Sequence, residues 1–401
     1  MQPDCARMIL THQRRNVLVL AFCQAMTMTS MTMMVTVSSL VGQELADDKA
    51  FATWPLGLQQ IGVMAATFPA SLLMRRFGRR AGFSIGAAVG IIGGLIQAYA
   101  VFHFNFWLFC FGNSLMGVAN GFSLFYRFAA TDTADAAFKS KAISLVMAGG
   151  IVAALLGPQL AKWSHDWFAP VFFAGTFLAI SALQGLGGLL VQFVRIPRPS
   201  EQERSRSGRR LLEIVRQPVF LVAVTGGMIG YGVMSLVMTA TPLAMVECGY
   251  SFSDSAFVIQ WHVLGMFVPS FFTGHLIARF GVLKIMLTGA FLFAGCVAFN
   301  LSGIAIWQFW AALVLLGLGW NFLYVGGSSL LTEAYLPEER AKTQATNDFL
   351  VFGMVTIASF ASGALHHSFG WKAVNLGVIA PVALVCGAII WLLLRRRPAT
   401  A

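Results

Sequence analysis

Amide and aromatic side chains of this 401-residue sequence recur at helical spacing inside apolar runs. Asn113, Gly117, Asn120 and Arg127 stand at i, i+4, i+7 and i+14, one face of a helix. Asn321, Tyr324 and Ser328 follow at i, i+3 and i+7 in a later run, with Trp320 beside them. Gln260, Trp261 and His262 are consecutive in another run. Tyr231 and Ser235 lie a turn apart, and Gln24, Gln59 and Gln60 belong to the first two runs. Groups of this kind recognise a solute by stacking and by amide hydrogen bonds. The Asn residues have a second reading as interhelical ties. Trp261, Trp320 and the Met run Met26, Met28, Met31, Met33 and Met34 have one as packing groups.

Covalent chemistry has little to work with. His366 and His367 are adjacent and point about 100° apart on a helix, a poor metal site. The six cysteines show no paired spacing, so no disulfide framework or zinc site is readable. An enzyme, a metal centre and a bound cofactor are therefore not expected. Ionised groups inside the apolar runs are rarer still: Asp348 and Arg127 near helix ends, with His262 as the one side chain at site depth whose ordinary pKa is about 6.5. A path without a fixed charge at its centre suits a neutral or weakly charged solute, not a sugar phosphate, a metal ion or a dicarboxylate. His262 reads either as a hydrogen-bond donor or as a proton shuttle, so uniport and proton symport both stay open.

The elements that must position these groups are membrane helices. Hydrophobic residues make up 57% of the chain and charged ones 11%, where a soluble fold carries about 25% charged. Runs long enough to cross about 30 Å of hydrocarbon cover approximately residues 16–41, 53–74, 82–102, 105–127, 142–162 and 168–194, then 218–244, 255–278, 284–303, 306–331, 345–366 and 371–394. The runs are continuous rather than alternating, which selects helices over strands. The apolar run after Arg14 and Arg15 is too long for a cleaved signal peptide, and eleven more follow it. Threading twelve spans leaves all but three of the 27 Lys and Arg residues on one side, with both termini. Lys49, Lys162 and Lys372 stand opposite, among Glu44, Asp47, Asp48, Asp166, Glu247 and Asp254. The basic side is expected to be cytoplasmic. The net charge of +11 is thus a topology signal, and a nucleic-acid partner is not expected.

The stretch from Arg195 to Gln217, with seven Arg and three Glu, divides the spans six and six and reads as a cytoplasmic linker. The expected organisation is an N-terminal bundle over 1–194, the linker over 195–217 and a C-terminal bundle over 218–401. Across the linker the sequence half-repeats. Arg75-Arg76-Phe77-Gly78-Arg79-Arg80 follows span 2, and Arg279-Phe280-Gly281 follows span 8. Met116-Gly117 in span 4 is answered by Leu316-Gly317 in span 10. Glycine permits the sharp reversal, and the basic residues hold the loop at anionic headgroups.

These features together resemble the major facilitator superfamily over essentially the whole chain. The resemblance implies an all-α integral membrane fold of 12 transmembrane helices in two pseudo-symmetric six-helix bundles, which transport by alternating access around a site near mid-membrane. The family's loop between spans 2 and 3 is roughly G-x-L-a-D-R-x-G-R-R. This chain supplies Leu73, Arg76, Gly78, Arg79 and Arg80 but has Ser71 for the first Gly and Arg75 for the Asp. Arg75 or Arg76 is therefore expected to pair with Asp348 at the inner gate, with Arg127, Arg279 and Gly281 as further gate residues. The alternative for Asp348 is a solvated helix-start carboxylate. Gly149, Gly150, Gly157 and Pro158 resemble part of the antiporter pattern in span 5, while Asn113 stands where drug antiporters carry Arg.

The stretch Tyr231 to Met245, with Gln260-Trp261-His262 and Trp320-Asn321-Phe322, is similar to a bacterial subgroup that includes riboflavin importers. This implies uptake of an aromatic solute across the inner membrane by a functional monomer. The substrate-binding set is Gln24, Gln60, Asn113, Asn120, Tyr231, Gln260, Trp261, His262, Trp320, Asn321 and Tyr324. A drug or metabolite exporter of the same fold is the alternative.

Overall fold

The computed structural model describes residues 3–126, 129–130, 142, 145–146, 148–196, 209–336 and 339–396. Among them no strand occurs, and helices fall on all twelve expected spans. They are α1 Pro3–Leu45, α2 Trp54–Phe77, α3 Arg79–Phe102, α4 Phe106–Ser123, α5 Gly149–Ser164 and α6 Ala174–Val191. After a short Leu211–Val215 helix come α7 Pro218–Glu247, the two segments of α8, Phe252–Phe267 and Ser270–Phe280, then α9 Val282–Ser302 and α10 Ile306–Leu331. The helices α11 and α12 run through Arg340–Arg396 and part at Gly370, where φ is +76°.

Local chemistry sets these boundaries. The Asn105 side chain accepts from the Leu108 amide at 2.9 Å and starts α4. Ser251 and Asp254 form a reciprocal capping box at the start of α8. Gly78 and Gly281 take φ values of +91° and +88°, a region that side chains with a Cβ avoid, so the chain reverses at both R-F-G turns. The expectation of one continuous helix over 255–278 needs correction. Its two segments are bent by 43° at Val268 and Pro269, where proline has no N–H to donate to the ladder and the Asn321 amide takes the Met266 carbonyl.

The helices gather into two compact units. One comprises Met1–Val41 and Leu58–Glu201, the other Gly42–Gly57 and Gln202–Ala401. In the first, α3 packs against α4 and α6. In the second, α7 packs against α10 and the α11–α12 stretch, while α8 and α9 both pack on α10. The interiors are close-packed side chains such as Leu20, Cys23, Met74, Phe83 and Tyr126 in the first unit. Large apolar residues also cover the outside: Phe68 is 73% exposed and Leu189 66%. Exposed Trp107, Trp163 and Trp307 sit near helix ends, where indoles suit a membrane–water boundary.

Candidate functional site

Each unit contains the same close crossing. A Cβ on Gly117 of α4 would collide with the backbone oxygen of Gln59 in α2, and one on Gly317 of α10 would collide with that of His262 in α8. Each glycine therefore lets two helix backbones touch, as small residues do in membrane bundles. Asn120 and Trp320 stand three residues beyond these glycines, at equivalent places in the half-repeat.

In the second unit this crossing supports a nest of aromatic rings. Trp320 and Tyr324, one turn apart on α10, lie nearly parallel, at 12°, with centroids 5.0 Å apart. The Tyr231 ring on α7 meets them edge-on at 5.4 Å and 5.5 Å. Phe352 of α11 is 5.9 Å from Tyr231, and Phe267 of α8 is 6.1 Å from Trp320. Trp320 is 6% exposed, and its indole N–H is buried without a hydrogen-bond partner. A buried donor with no acceptor costs about 1–3 kcal/mol, and a ligand that accepts from it recovers that cost.

The other polar groups of this unit are more committed. Asn321 is fully buried; its amide donates to Met266 O and Ser270 Oγ at 2.7 Å each and accepts from Thr273 Oγ1 at 2.6 Å. These bonds bracket the α8 break, so Asn321 splints the bent helix. His262 is fully buried, with Nδ1 2.9 Å from Leu313 O and Nε2 unpartnered. Trp261 is 40% exposed and meets Phe257 and Trp310 rather than the nest. Gln260 is partly buried.

The first unit offers amides instead of rings. Asn113 is tied down, donating to Phe109 O at 2.9 Å and accepting from Ser38 Oγ at 3.4 Å. Asn120 is 5% exposed, and neither its amide nitrogen nor its oxygen has a partner. The same holds for Gln59, while Gln24 and Gln60 are buried at 7% exposure each. Among the described residues no three His, Cys, Asp or Glu side chains gather as metal ligands would. The arrangement is suited to non-covalent recognition of a flat, weakly polar molecule.

The profile of the Major Facilitator Superfamily matches residues 20–268 and 234–401. The chain belongs to this superfamily. It is a multi-pass membrane transporter of a small solute, not an enzyme. Over 391 residues it is 44% identical to the riboflavin transporter RfnT of Brucella anthropi, covering 97% of both chains. The uncharacterized MFS-type transporter YdeG of Bacillus subtilis is 27% identical over 94% of this chain and 92% of its own. A crystal structure of a mutant of the nucleoside transporter NupG shares the fold with a TM-score of 0.71 at 13% identity, covering 95% of this chain and 99% of the other.

Within this superfamily member the two R-F-G turns are near copies. Arg76 lies over the Phe77 ring and Arg279 over Phe280, both at 5.3 Å. The amides of Gly78 and Gly281 donate to Met74 O and Ile277 O at 2.9 Å. Arg79 contacts Met74 Sδ at 3.7 Å, and Arg80 donates twice to Gln192 Oε1 at 2.9 and 3.1 Å, tying the loop to the end of α6. Asp348 accepts from the neighbouring Asn347 amide at 3.0 Å. Arg127 and the side chain of Arg75 lie outside the described residues.

Sequence reasoning missed the densest polar knot among the described residues. Glu339, fully buried between α10 and α11, accepts from the Arg209 backbone N, Nε and Nη2 and from the Leu336 amide at 2.7–2.9 Å. Gln217 adds a bond to Ala334 O at 2.9 Å, and the Lys342 ammonium donates to Arg209 O. The Arg209 hydrogen bonds hold the Glu339 carboxyl down at about 2. The signal available in the sequence was a carboxylate directly before Arg340 in a chain whose central linker is rich in Arg.

Proposed function

We propose that this transporter imports riboflavin, or a flat aromatic metabolite closely related to it, across the bacterial inner membrane by alternating access. The observation that carries the reading is the nest of Tyr231, Trp320, Tyr324, Phe267 and Phe352 with one unpaired indole donor, in a chain 44% identical to a riboflavin transporter. An isoalloxazine offers extended ring faces to stack on such a nest and acceptor atoms for an N–H. Gln24, Gln60, Asn113 and Asn120 are the polar groups the first unit contributes to recognition, and Gln260, Trp261, His262 and Asn321 complete the set from α8 and α10.

The same reading takes both termini as cytoplasmic, the chain as a functional monomer, and residues 1–194 and 218–401 as the moving bundles joined by 195–217. It takes Asp348, paired with Arg75 or Arg76, as the inner gate, together with Arg127 and the two R-F-G turns. The test is growth of a riboflavin auxotroph at low vitamin. Expression of this chain is expected to rescue growth and to accumulate labelled riboflavin in the cells. Lowered accumulation would establish export instead. Uptake that survives collapse of the proton gradient would eliminate symport through His262.

A further inference from the structure

The segment between α1 and α2 is in sequence part of the first bundle, yet it groups with the second unit and packs on the α11–α12 stretch. Asp48 caps its turn by accepting from the Ala50 amide at 2.9 Å, and Lys49 Nζ donates to Ala46 O at 2.7 Å. Phe51 and Trp54 pack together with centroids 4.4 Å apart, and Trp54 meets Phe360 of α11 edge-on at 5.3 Å. Thr53 lies at the centre and is fully buried.

The Thr53 hydroxyl donates to Ser359 O at 2.5 Å and accepts from the Gly363 amide at 2.9 Å. Ser359 and Gly363 are four residues apart, so these are the carbonyl and amide that an α-helix joins to one another. A hydroxyl serves both because it is donor and acceptor at once. Position 363 must be small for this to happen: a Cβ there would lie 2.8 Å from Thr53 Oγ1 and 3.1 Å from Ala50 O. On another side α11 is held to α7, by Ser235 Oγ to Ser359 Oγ at 2.9 Å and by Ser362 Oγ to Leu236 O at 2.7 Å.

We propose that Thr53 is the latch residue of the transport cycle, its hydroxyl alternately seated on the Ser359–Gly363 pair of α11 and withdrawn from it. The segment is covalently continuous with α1 and α2, so a rearrangement of those helices that carries it along unseats the hydroxyl. Withdrawal strands no backbone group, because Ser359 O and Gly363 N–H then have each other as partners. Both positions satisfy the helix, and an element with two satisfied arrangements is what a reversible switch requires. The latch belongs to the conformational cycle and holds whichever solute is carried.

Hydrogen exchange of the purified full-length protein in lipid nanodiscs, without any solute, tests this. In Thr53→Val, which keeps the shape and removes the hydroxyl, the amides of residues 46–57 are expected to exchange about tenfold faster, while those of α9 keep the wild-type rate. Thr53→Ser is expected to restore protection. Gly363→Ala is expected to speed exchange of 46–57 while slowing it in α11, since alanine is the better helix former. Opposite movements in two segments cannot arise from general unfolding, so this variant decides the matter even where Thr53→Val folds poorly. Wild-type exchange of 46–57 in both Thr53→Val and Gly363→Ala would overturn the proposal, and so would a Thr53→Ser protein as unprotected as Thr53→Val.

Discussion

The α2–α4 pair of the first unit and the α8–α10 pair of the second are built on one plan and finished differently. Both cross at a glycine against a carbonyl, Gly117 on Gln59 and Gly317 on His262. Four residues further along, Gly121 leaves Val63 O within 3.1 Å of where its Cβ would stand, whereas Asn321 at the matching place donates to Met266 O. With glycine there, α2 stays continuous; with asparagine, the partner helix is broken and its freed carbonyl is satisfied by the amide. One position earlier along each helix the contrast is Asn120 against Trp320, an unpaired amide against an unpaired indole inside a ring cluster. The repeat keeps the backbone contact and varies the group next to it, so packing and recognition are carried by neighbouring residues of one turn.

Breaking the shared part is expected to have the largest effect. Gly117→Leu forces a branched side chain into backbone, and loss of folded, monodisperse protein is expected, with Gly317→Leu close behind. Size-exclusion profiles in detergent read this directly.

The divergent part is sharpened by a pair of alanines expected to move stability in opposite directions. Asn321→Ala removes three buried hydrogen bonds and is expected to cost about 1–2 kcal/mol. Asn120→Ala removes an amide that has no partner and is expected to be neutral or to raise the melting temperature, at the expense of solute affinity. Equal losses in both would dissolve the distinction between splint and recognition group. Trp320→Phe keeps a ring and deletes the donor; stability is expected to hold while affinity falls about five- to tenfold, near 1 kcal/mol. The smallest effect concerns a contact outside both crossings. The Glu339 carboxyl is lowered in the folded protein, so its contribution is complete above its ordinary value near 4.5 and is lost as pH falls towards about 2. Melting curves of the wild type are expected to drop across that window more steeply than those of Glu339→Gln.

The spans are legible in the sequence because hydrophobic length and the position of Arg and Gly are local signals. The R-F-G turns at Gly78 and Gly281 are legible for the same reason. Pro269 inside an apolar run is also a local signal, but the run around it reads as one helix until the Asn321 amide is seen to support a break. Asn321 itself is indistinguishable by spacing from a lining residue, since a stripe of polar side chains does not say whether its partners are protein or solute. Thr53 and Glu339 depend on partners 306 and 130 residues away, and no periodicity reports such pairs. Trp261 shares a run with His262 and groups with it in sequence, although successive helical residues face different ways.

Equilibrium binding of riboflavin to the purified protein, followed by thermal stabilisation of wild type and Trp320→Ala side by side, tests the recognition claim most directly. The wild type is expected to melt at rising temperature as riboflavin is added, and the variant to need at least about tenfold more for the same shift. Identical titrations for the two proteins, or no shift in a well-folded wild type, would contradict it.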